Sequence, residues 1–422
     1  MFPQTLKKEL STMTYKFNHS QKTVIRQCLQ LLPSEYLSCP LLNYDNKKLT
    51  TEGLIKFFVA AQLGSWNSYS EFDIRMEANE DLMKEIGVQN ISSSQLSRRI
   101  RDLDNEVTLN LFLKSVALLQ SYLPKNKKIS EAVGPLAALD STTFNLSALS
   151  EWAEVSAGYH AVKMHTRLRV MSDEIQYPDK IIPSTGKVSD HEGGDLLIED
   201  SVDVTYLLDR GYMDLYRINE WIKGQIKFVV RLRKGLTEKT LEEYEVPQGT
   251  NILRDAKVIL GANGKMQPVR VVEYTDDEGN FYKVATTRWD LTCVQIAELY
   301  KSRWLIELFF KWIKQSLRFI KIWSIDPQGI WNQMFIGMIA YILTLIVKLI
   351  TNSKKTLKEI LMYIRAFFDK SWNRFMERLT KLPGKTSKGR QKIPEKPKKK
   401  VNFGSVALVH KENAKRIKKK IK

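Results

Sequence analysis

Cysteine and histidine are scarce in this chain of 422 residues. It contains three cysteines (Cys28, Cys39 and Cys293) and five histidines. The cysteines have no paired spacing, and they form no cluster with the histidines along the sequence. This distribution argues against a structural zinc site and against a disulfide framework, and it favours a reducing, cytoplasmic location.

Long apolar runs are also lacking. The most membrane-like stretch is Met334–Val347, 14 residues that end at Lys348. A bilayer span needs about 20 apolar residues, so we interpret this stretch as a buried core helix. Near the N-terminus, Lys7 and Lys8 are not followed by an apolar core, and we therefore expect no secretion signal.

Acidic residues are nearly missing from the last 42 positions. Residues 381–422 contain 16 Lys or Arg against 2 Asp or Glu, so +14 of the formal net charge of +19 lies in this segment. The segment is of low complexity and contains three prolines. These features predict a disordered basic tail that contacts a polyanion such as DNA, with a merely solubilising end as the alternative.

The most informative pattern present is the stretch 300–314, which contains neither Gly nor Pro. Arg303, Glu307 and Lys314 follow Tyr300 at offsets of 3, 7 and 14 residues. In one continuous helix these four side chains would lie within roughly 60° of each other, opposite an apolar surface. Taken alone, the pattern also fits a solvated face with weak charge pairs.

Two aspartates follow apolar runs of strand length. Asp140 ends the run 134–139 and precedes hydroxyl residues, and Asp209 ends the run 204–208 and precedes Arg-Gly-Tyr. Either aspartate alone could simply cap a turn. However, acidic residues at the ends of neighbouring strands can converge at one edge of a sheet. Together with Glu307 they would form an all-oxygen site suited to two Mg²⁺ or Mn²⁺ ions.

At this point the sequence resembles the bacterial insertion-sequence transposases with a DDE triad, of the group numbered four. That group is marked by Tyr-x2-Arg-x3-Glu-x6-Lys, which is complete here from Tyr300 to Lys314. Asp-Ser-Thr at 140–142 and Asp-Arg-Gly-Tyr at 209–212 resemble its first and second Asp motifs. The resemblance is strong over residues 130–350, weaker before them, and slight in the basic tail.

The resemblance implies an α/β fold with an RNase H-like catalytic core interrupted by a β-rich insertion. We expect a helical DNA-end-binding domain at 1–125, the core at 130–350 with the insertion at about 236–287, a helical region at 351–380 and the tail at 381–422. The implied activity is cut-and-paste transposition through a hairpin at the element end. The implied partners are DNA with terminal inverted repeats, target DNA and a second copy of the chain, and the implied location is the bacterial cytoplasm, at the nucleoid when bound to DNA.

The catalytic and metal-binding residues are then expected to be Asp140, Asp209 and Glu307. The segment 91–101 resembles the second helix of a helix-turn-helix because it combines a hydroxyl-rich start, apolar residues four apart and adjacent arginines, although an ordinary basic amphipathic helix has the same features. At the position where the family stacks a flipped base on Trp, this chain has Tyr282, with Trp289 as the alternative. The predicted DNA contacts are Tyr300, Arg303, Lys314, Arg210, Tyr282, Trp289, Arg98 and Arg99.

Two other functions fit the same residues less well. The first is a metal-dependent nuclease on the same core that cuts DNA without joining it. The second is a non-catalytic DNA-binding protein that uses the helix of Arg98 and Arg99. A binding protein has no use for three converging acids, which favours an enzyme.

Overall fold

A computed structural model describes residues 22–44, 48–88, 91–123, 133–199, 203–262, 264–317 and 321–381. The chain divides into a unit ending at Leu379 and a second unit, Thr380–Lys422. Nearly all of the second unit, and with it the predicted basic tail, lies outside the described residues.

Helices flank the central part of the first unit on both sides along the sequence. Within the described residues they are α1 (Val24–Leu29), α2 (Thr51–Gly64), α3 (Tyr69–Glu77), α4 (Glu80–Ile86), α5 (Ser93–Asp102), α6 (Asn105–Tyr122), α7 (Asp190–Leu197), α8 (Leu215–Lys223), α9 (Cys293–Lys301), α10 (Trp304–Ser316), α11 (Pro327–Ile350), α12 (Leu357–Ala366) and α13 (Trp372–Thr380). Helix α2 is capped by Thr50, whose side chain accepts a hydrogen bond from the N–H of Gly53.

The strands form one mixed sheet. They are β1 (Leu136–Asn145), β2 (Glu154–Ser156), β3 (Tyr159–Ser172), β4 (Ile175–Thr185), β5 (Thr205–Leu208), β6 (Lys227–Arg231), β7 (Glu238–Glu243), β8 (Ile252–Leu260), β9 (Val269–Thr275) and β10 (Phe281–Thr286). The order is β2-β3-β1-β5-β6-β10-β9-β8-β7, with β4 on β3. Strands β1, β5 and β6 are parallel to one another, and the neighbours outside them are antiparallel. The fold is therefore mixed α/β, as expected.

The β-rich insertion extends the sheet. The predicted insertion contributes four strands, β7 to β10, and β10 pairs with β6 so that they continue the central sheet. The outermost of them, β7, reads Glu-Lys-Thr-Leu-Glu-Glu and is largely exposed. It has the composition of a charged sheet edge, which lacks the apolar alternation that signals a half-buried strand.

Each face of the sheet buries a different apolar core. Along β1, Leu136 and Ala138 belong to the larger core, which includes the N-terminal helices and α11. Ala137 and Leu139 belong to the smaller core on the other face, with α7 and α8. This alternation follows from the two-residue period of a strand and decides which side each polar residue of β1 faces.

The apolar stretch Met334–Val347 is buried throughout, as predicted for a core helix. The helix that contains it, α11, is longer than the stretch and begins with Pro327 at its first turn. By length and composition α11 could cross a membrane, but 83% of its most apolar window is buried inside the protein.

The N-terminal helices pack directly on α11. Asn332 links three helices: it accepts a hydrogen bond from Thr108 of α6, and its amide donates to the carbonyls of Ile100 and Leu103 at the end of α5 (3.0 and 2.6 Å). The helices of the predicted end-binding region belong to the larger apolar core, together with α11.

Candidate active site

Asp140 and Asp209 lie side by side at the end of the parallel ladder. The ladder of β1 and β5 ends with Leu139 opposite Leu208, and each aspartate is the next residue. We had expected β1 to end at Asp140. Instead, the strand continues, because residues up to Asn145 pair with β3. Leu139 and Leu208 face the smaller core, so the two extended residues that follow them face the opposite side of the sheet.

The helix that carries Glu307 lies on that opposite side and packs against β1. Residues 300–314 do not form one helix, which corrects our expectation: α9 ends at Lys301 and α10 begins at Trp304. Between them the backbone makes tight turns, in which the N–H groups of Ser302 and Arg303 bond to carbonyls three residues earlier. Tyr300 therefore belongs to a different helix from Glu307.

Tyr300 is buried, and its hydroxyl donates a hydrogen bond to the carbonyl of Leu208, directly before Asp209 (3.2 Å). The bond ties the end of α9 to the end of β5. In this structure Tyr300 supports the backbone of the site and does not present its hydroxyl to solvent.

Arg303 lies among the acidic residues. Its Nη2 is 2.5 Å from Oε1 of Glu307, and its side chain is 12% exposed. Burial lowers the pKa of Arg303, but the pKa is above its usual value because Tyr300, Glu307 and Asp209 favour its charged form. The guanidinium is thus the counter-ion of the acidic residues in this state.

Burial raises the pKa of Asp140 to about 6, and the charges of Asp209 and Asp190 act in the same direction. The N–H of Ser141, which bonds to Oδ1 of Asp140 at 2.8 Å, and the charge of Arg303 oppose this rise. Asp140 is therefore ionised at neutral pH but becomes protonated as the pH falls through 6. A cation that binds Asp140 would lose affinity in that range.

Within the described residues, the side chains of His, Cys, Asp and Glu form no group of three or more that could hold a metal ion as they are placed. The chemistry of the three acids nevertheless fits hard divalent ions, which prefer carboxylate oxygens. Glu307 is the acid whose oxygen contacts Arg303. A divalent ion held by Glu307 would have to displace that guanidinium.

The other predicted DNA contacts are dispersed around this centre. Arg210 is exposed beside Asp209, and Lys314 lies over the ring of Phe144 (5.3 Å). Tyr282 stacks on Tyr274 with ring centroids 5.2 Å apart. Trp289 is 46% exposed and contacts Tyr244 of the insertion.

Tyr282 lines a cavity of about 400 Å³ beside the active site. Tyr300 and Arg303 form part of its wall, together with Trp304, which is 56% exposed. Trp289 does not line it. We did not predict a role for Trp304, although its position directly after Arg303 in the motif was a usable signal.

Thr166 is a second residue that our sequence reasoning missed. It lies opposite Asp140 in the β1–β3 pairing, so both side chains emerge on the same face. Thr166 is fully buried, and its hydroxyl has no hydrogen-bond partner within the described ranges. Only the strand register reveals this neighbour, and the sequence contains no direct signal for it.

Arg98 and Arg99 lie on α5, which is capped by Ser92 and buries Leu96 and Ile100. Arg98 is exposed, whereas Arg99 is half-buried, and the Nε of Arg99 has no partner in the part of the chain that is described. Burial lowers the pKa of Arg99. The two arginines are therefore not equivalent.

Two neighbouring aspartates at the end of a parallel ladder, on the side of the sheet where a helix carries a glutamate, are typical of enzymes that cut and join phosphodiester bonds. The comparison with known families agrees: the family model described as a transposase DDE domain matches residues 132–343, half of the chain. The chain belongs to this family, and it is an enzyme that acts on DNA as a transposase.

Several curated relatives carry the same activity in their names. The chain is 23% identical to a probable transposase for insertion sequence element IS5377 of Geobacillus stearothermophilus, over 71% of this chain and 77% of the relative. It is 26% identical to the putative transposase y4zB of Sinorhizobium fredii, over 58% and 70%. It is 25% identical to a putative transposase for insertion sequence element IS4SA of Synechocystis, over 61% and 74%.

Proposed function

We propose that this transposase moves its element by cut-and-paste transposition, with Asp140, Asp209 and Glu307 as the catalytic triad. The observation that carries the proposal is the register of β1 and β5, which sets the two aspartates side by side beneath the helix of Glu307. The strand order β4-β3-β1-β5-β6 fits an RNase H-like core. Water as the nucleophile would cut a strand, and a DNA 3′-hydroxyl would join it to a target.

The same three acids would hold two Mg²⁺ or Mn²⁺ ions. When bound, such ions activate the attacking oxygen and stabilise the leaving oxygen of an in-line displacement. The side chains of the chain itself have three tasks: Asp140 and Asp209 supply neighbouring carboxylates, Glu307 supplies the third, and Arg303 neutralises them before the ions arrive.

Cations around the centre would hold the DNA backbone. Arg303 contacts Glu307, Arg210 follows Asp209 in the chain, and Lys314 lies on the helix of Glu307, and these three cations would bind phosphates near the cut. The cavity lined by Tyr282 and Trp304 has room for an unstacked base beside the cut end. Tyr282 supports this role better than Trp289, because Tyr282 lines the cavity.

The remaining parts of the complex rest on composition and on the family. Helix α5 would read the terminal inverted repeats, and the basic segment 381–422 would add sequence-independent affinity for DNA. Two copies of the chain would pair the element ends and capture target DNA. We place this activity at the nucleoid in the bacterial cytoplasm.

Arg98→Ala is expected to weaken binding to terminal-repeat DNA more than binding to random DNA, because Arg98 is exposed on α5 whereas Arg99 is half-buried. A lost base contact should cost about 1–3 kcal/mol, or roughly 5- to 150-fold in affinity. Arg99→Ala should change repeat binding less, since part of its guanidinium is buried. Fluorescence anisotropy with both DNAs measures the difference.

Arg75→Ala on α3 is the matched control, because Arg75 is an exposed helical arginine paired with Glu71. If Arg98→Ala loses affinity equally for both DNAs, Arg98 contacts only the backbone. If it behaves like Arg75→Ala, helix α5 is not the reading element.

A joining assay tests transposition against simple cleavage. Full-length protein is mixed with Mg²⁺, a supercoiled target plasmid and a labelled duplex that carries the element's own terminal repeat with a pre-cut 3′-hydroxyl. We expect label covalently joined to the plasmid. Cutting of uncut repeat DNA without any joined product would instead support the nuclease alternative, and activity in neither step would refute both.

A further inference from the structure

Helix α7 lies on the side of the sheet opposite the helix of Glu307. The backbone of α7 approaches the sheet unusually closely. A Cβ at Gly193 would lie 2.1 Å from the ring of His165 on β3, and a Cβ at Gly194 would lie 2.7 Å from the ring of Tyr212. Only glycine permits these contacts. The pair Gly193-Gly194 therefore fixes how α7 sits against both β3 and the turn that follows Asp209.

The first residue of α7, Asp190, reaches β1. Its Oδ1 accepts a hydrogen bond from Ser141 Oγ at 2.6 Å and from Lys163 Nζ at 3.2 Å. Lys163 also donates to the carbonyl of Val188 at 2.8 Å, which holds the chain entering the helix. A capping box formed by Ser189 and Glu192 fixes the first turn of α7. Asp190 is thus held in place from several directions.

Two of the residues that contact α7, Ser141 and Tyr212, hydrogen-bond to the catalytic aspartates. Ser141, whose hydroxyl bonds to Asp190, uses its own N–H to hold Oδ1 of Asp140 at 2.8 Å. Tyr212, which packs on Gly194, donates its N–H to the carbonyl of Asp209 at 3.0 Å. One helix therefore contacts a residue that hydrogen-bonds to the side chain of Asp140 and a residue that hydrogen-bonds to the backbone of Asp209.

We propose that Asp190 is a positioning residue for Asp140, acting through Ser141. Because side chains alternate along β1, Ser141 faces α7 while Asp140 faces the triad, so Asp190 contacts the back of the site and does not bind the ions. The inference rests on the proposed role of Asp140 and Asp209 in holding divalent ions. Groups that orient metal ligands typically change metal affinity 10- to 100-fold when removed.

Two substitutions test this role by Mn²⁺ affinity, measured by electron paramagnetic resonance on the full-length protein. Asp190→Ala and Ser141→Ala are each expected to weaken Mn²⁺ binding roughly 10- to 100-fold and to slow single-turnover cleavage in parallel. Asp190→Asn keeps an oxygen that can accept from Ser141, and it should retain most of the affinity. The double variant should be no worse than Asp190→Ala, since both changes break one connection.

Asp195→Ala is the matched control, because Asp195 is an acid of the same helix that faces solvent and pairs with Arg217. Melting temperatures of all variants separate a loss of fold from a loss of positioning, and Ser141→Ala keeps the test open if Asp190→Ala unfolds. If well-folded Asp190→Ala or Ser141→Ala binds Mn²⁺ as tightly as Asp195→Ala does, the proposal is overturned. Losses that multiply in the double variant would also overturn it.

Wild type and Asp140→Ala distinguish this failure from failure of the proposed function. If wild type binds Mn²⁺ and Asp140→Ala does not, the catalytic site stands whatever Asp190→Ala does. If Asp140→Ala binds Mn²⁺ as tightly as wild type, the catalytic assignment itself is wrong.

Discussion

Asp140→Ala, Asp209→Ala and Glu307→Ala are each expected to abolish Mg²⁺-dependent cleavage of DNA while leaving DNA binding intact. Each variant loses a carboxylate of the triad but keeps the cations that contact phosphates. The loss should exceed the 10- to 100-fold effect typical of groups that only orient a metal ligand. Single-turnover cleavage and anisotropy on the same preparations measure both properties.

Stability gives an internal check on Asp140. Its folded-state pKa of about 6 lies above the usual 3.8, so the folded protein favours the protonated acid. The stabilisation of the folded protein by protonated Asp140 is complete below the usual pKa of the acid. This stabilisation is lost as the pH rises through 6. At pH 7.5 Asp140→Asn should therefore melt no lower than wild type, although it does not cleave. Near-normal cleavage by any of the three alanine variants would show that the residue is outside the triad.

Arg303→Gln is expected to slow cleavage and, without DNA, to raise the affinity for Mn²⁺. The guanidinium contacts Glu307 and is attracted by Asp209, so an incoming divalent ion must compete with it. Loss of one charge-assisted phosphate contact should cost about 1.5–3 kcal/mol, roughly 10- to 150-fold in single-turnover rate. Manganese titrations with and without DNA measure the second effect.

Lys314→Gln is the control, because Lys314 lies on the same helix but contacts Phe144 and not Glu307. It should slow cleavage without raising Mn²⁺ affinity. Tyr300→Phe should slow cleavage less than Arg303→Gln or Lys314→Gln, since it keeps the ring and loses only the hydrogen bond to Leu208. Normal cleavage by well-folded Arg303→Gln would contradict the phosphate contact, and unchanged Mn²⁺ affinity would contradict the competition.

Local sequence patterns predicted the parts of the site that depend on local structure. The apolar run before Asp209 predicted β5, and the motif around Glu307 predicted a helix with one apolar side. The break between α9 and α10 was not predictable in this way. The stretch has no Gly or Pro, and the break is seen only in the backbone, where the N–H groups of Ser302 and Arg303 bond to carbonyls three residues earlier.

The extent of β1 and its neighbours across the sheet could not be predicted from local patterns. Asp140 looked like a strand end because its apolar run stops, yet the following polar residues pair with β3. The same pairing brings Thr166 beside Asp140 from 26 positions away. Likewise, the glycines of α7 are understood only when His165 and Tyr212 are seen to lie against them.

The central claim is that Asp140, Asp209 and Glu307 bind the divalent ions that support cleavage. The most direct measurement is rescue by a more thiophilic ion, in which each acid is replaced by Cys and cleavage is compared in Mg²⁺ and in Mn²⁺. The account predicts that the Cys variants are inactive in Mg²⁺ and regain cleavage in Mn²⁺, while the Ala variants stay inactive in both. Equal activity of Cys and Ala variants in Mn²⁺ would contradict it.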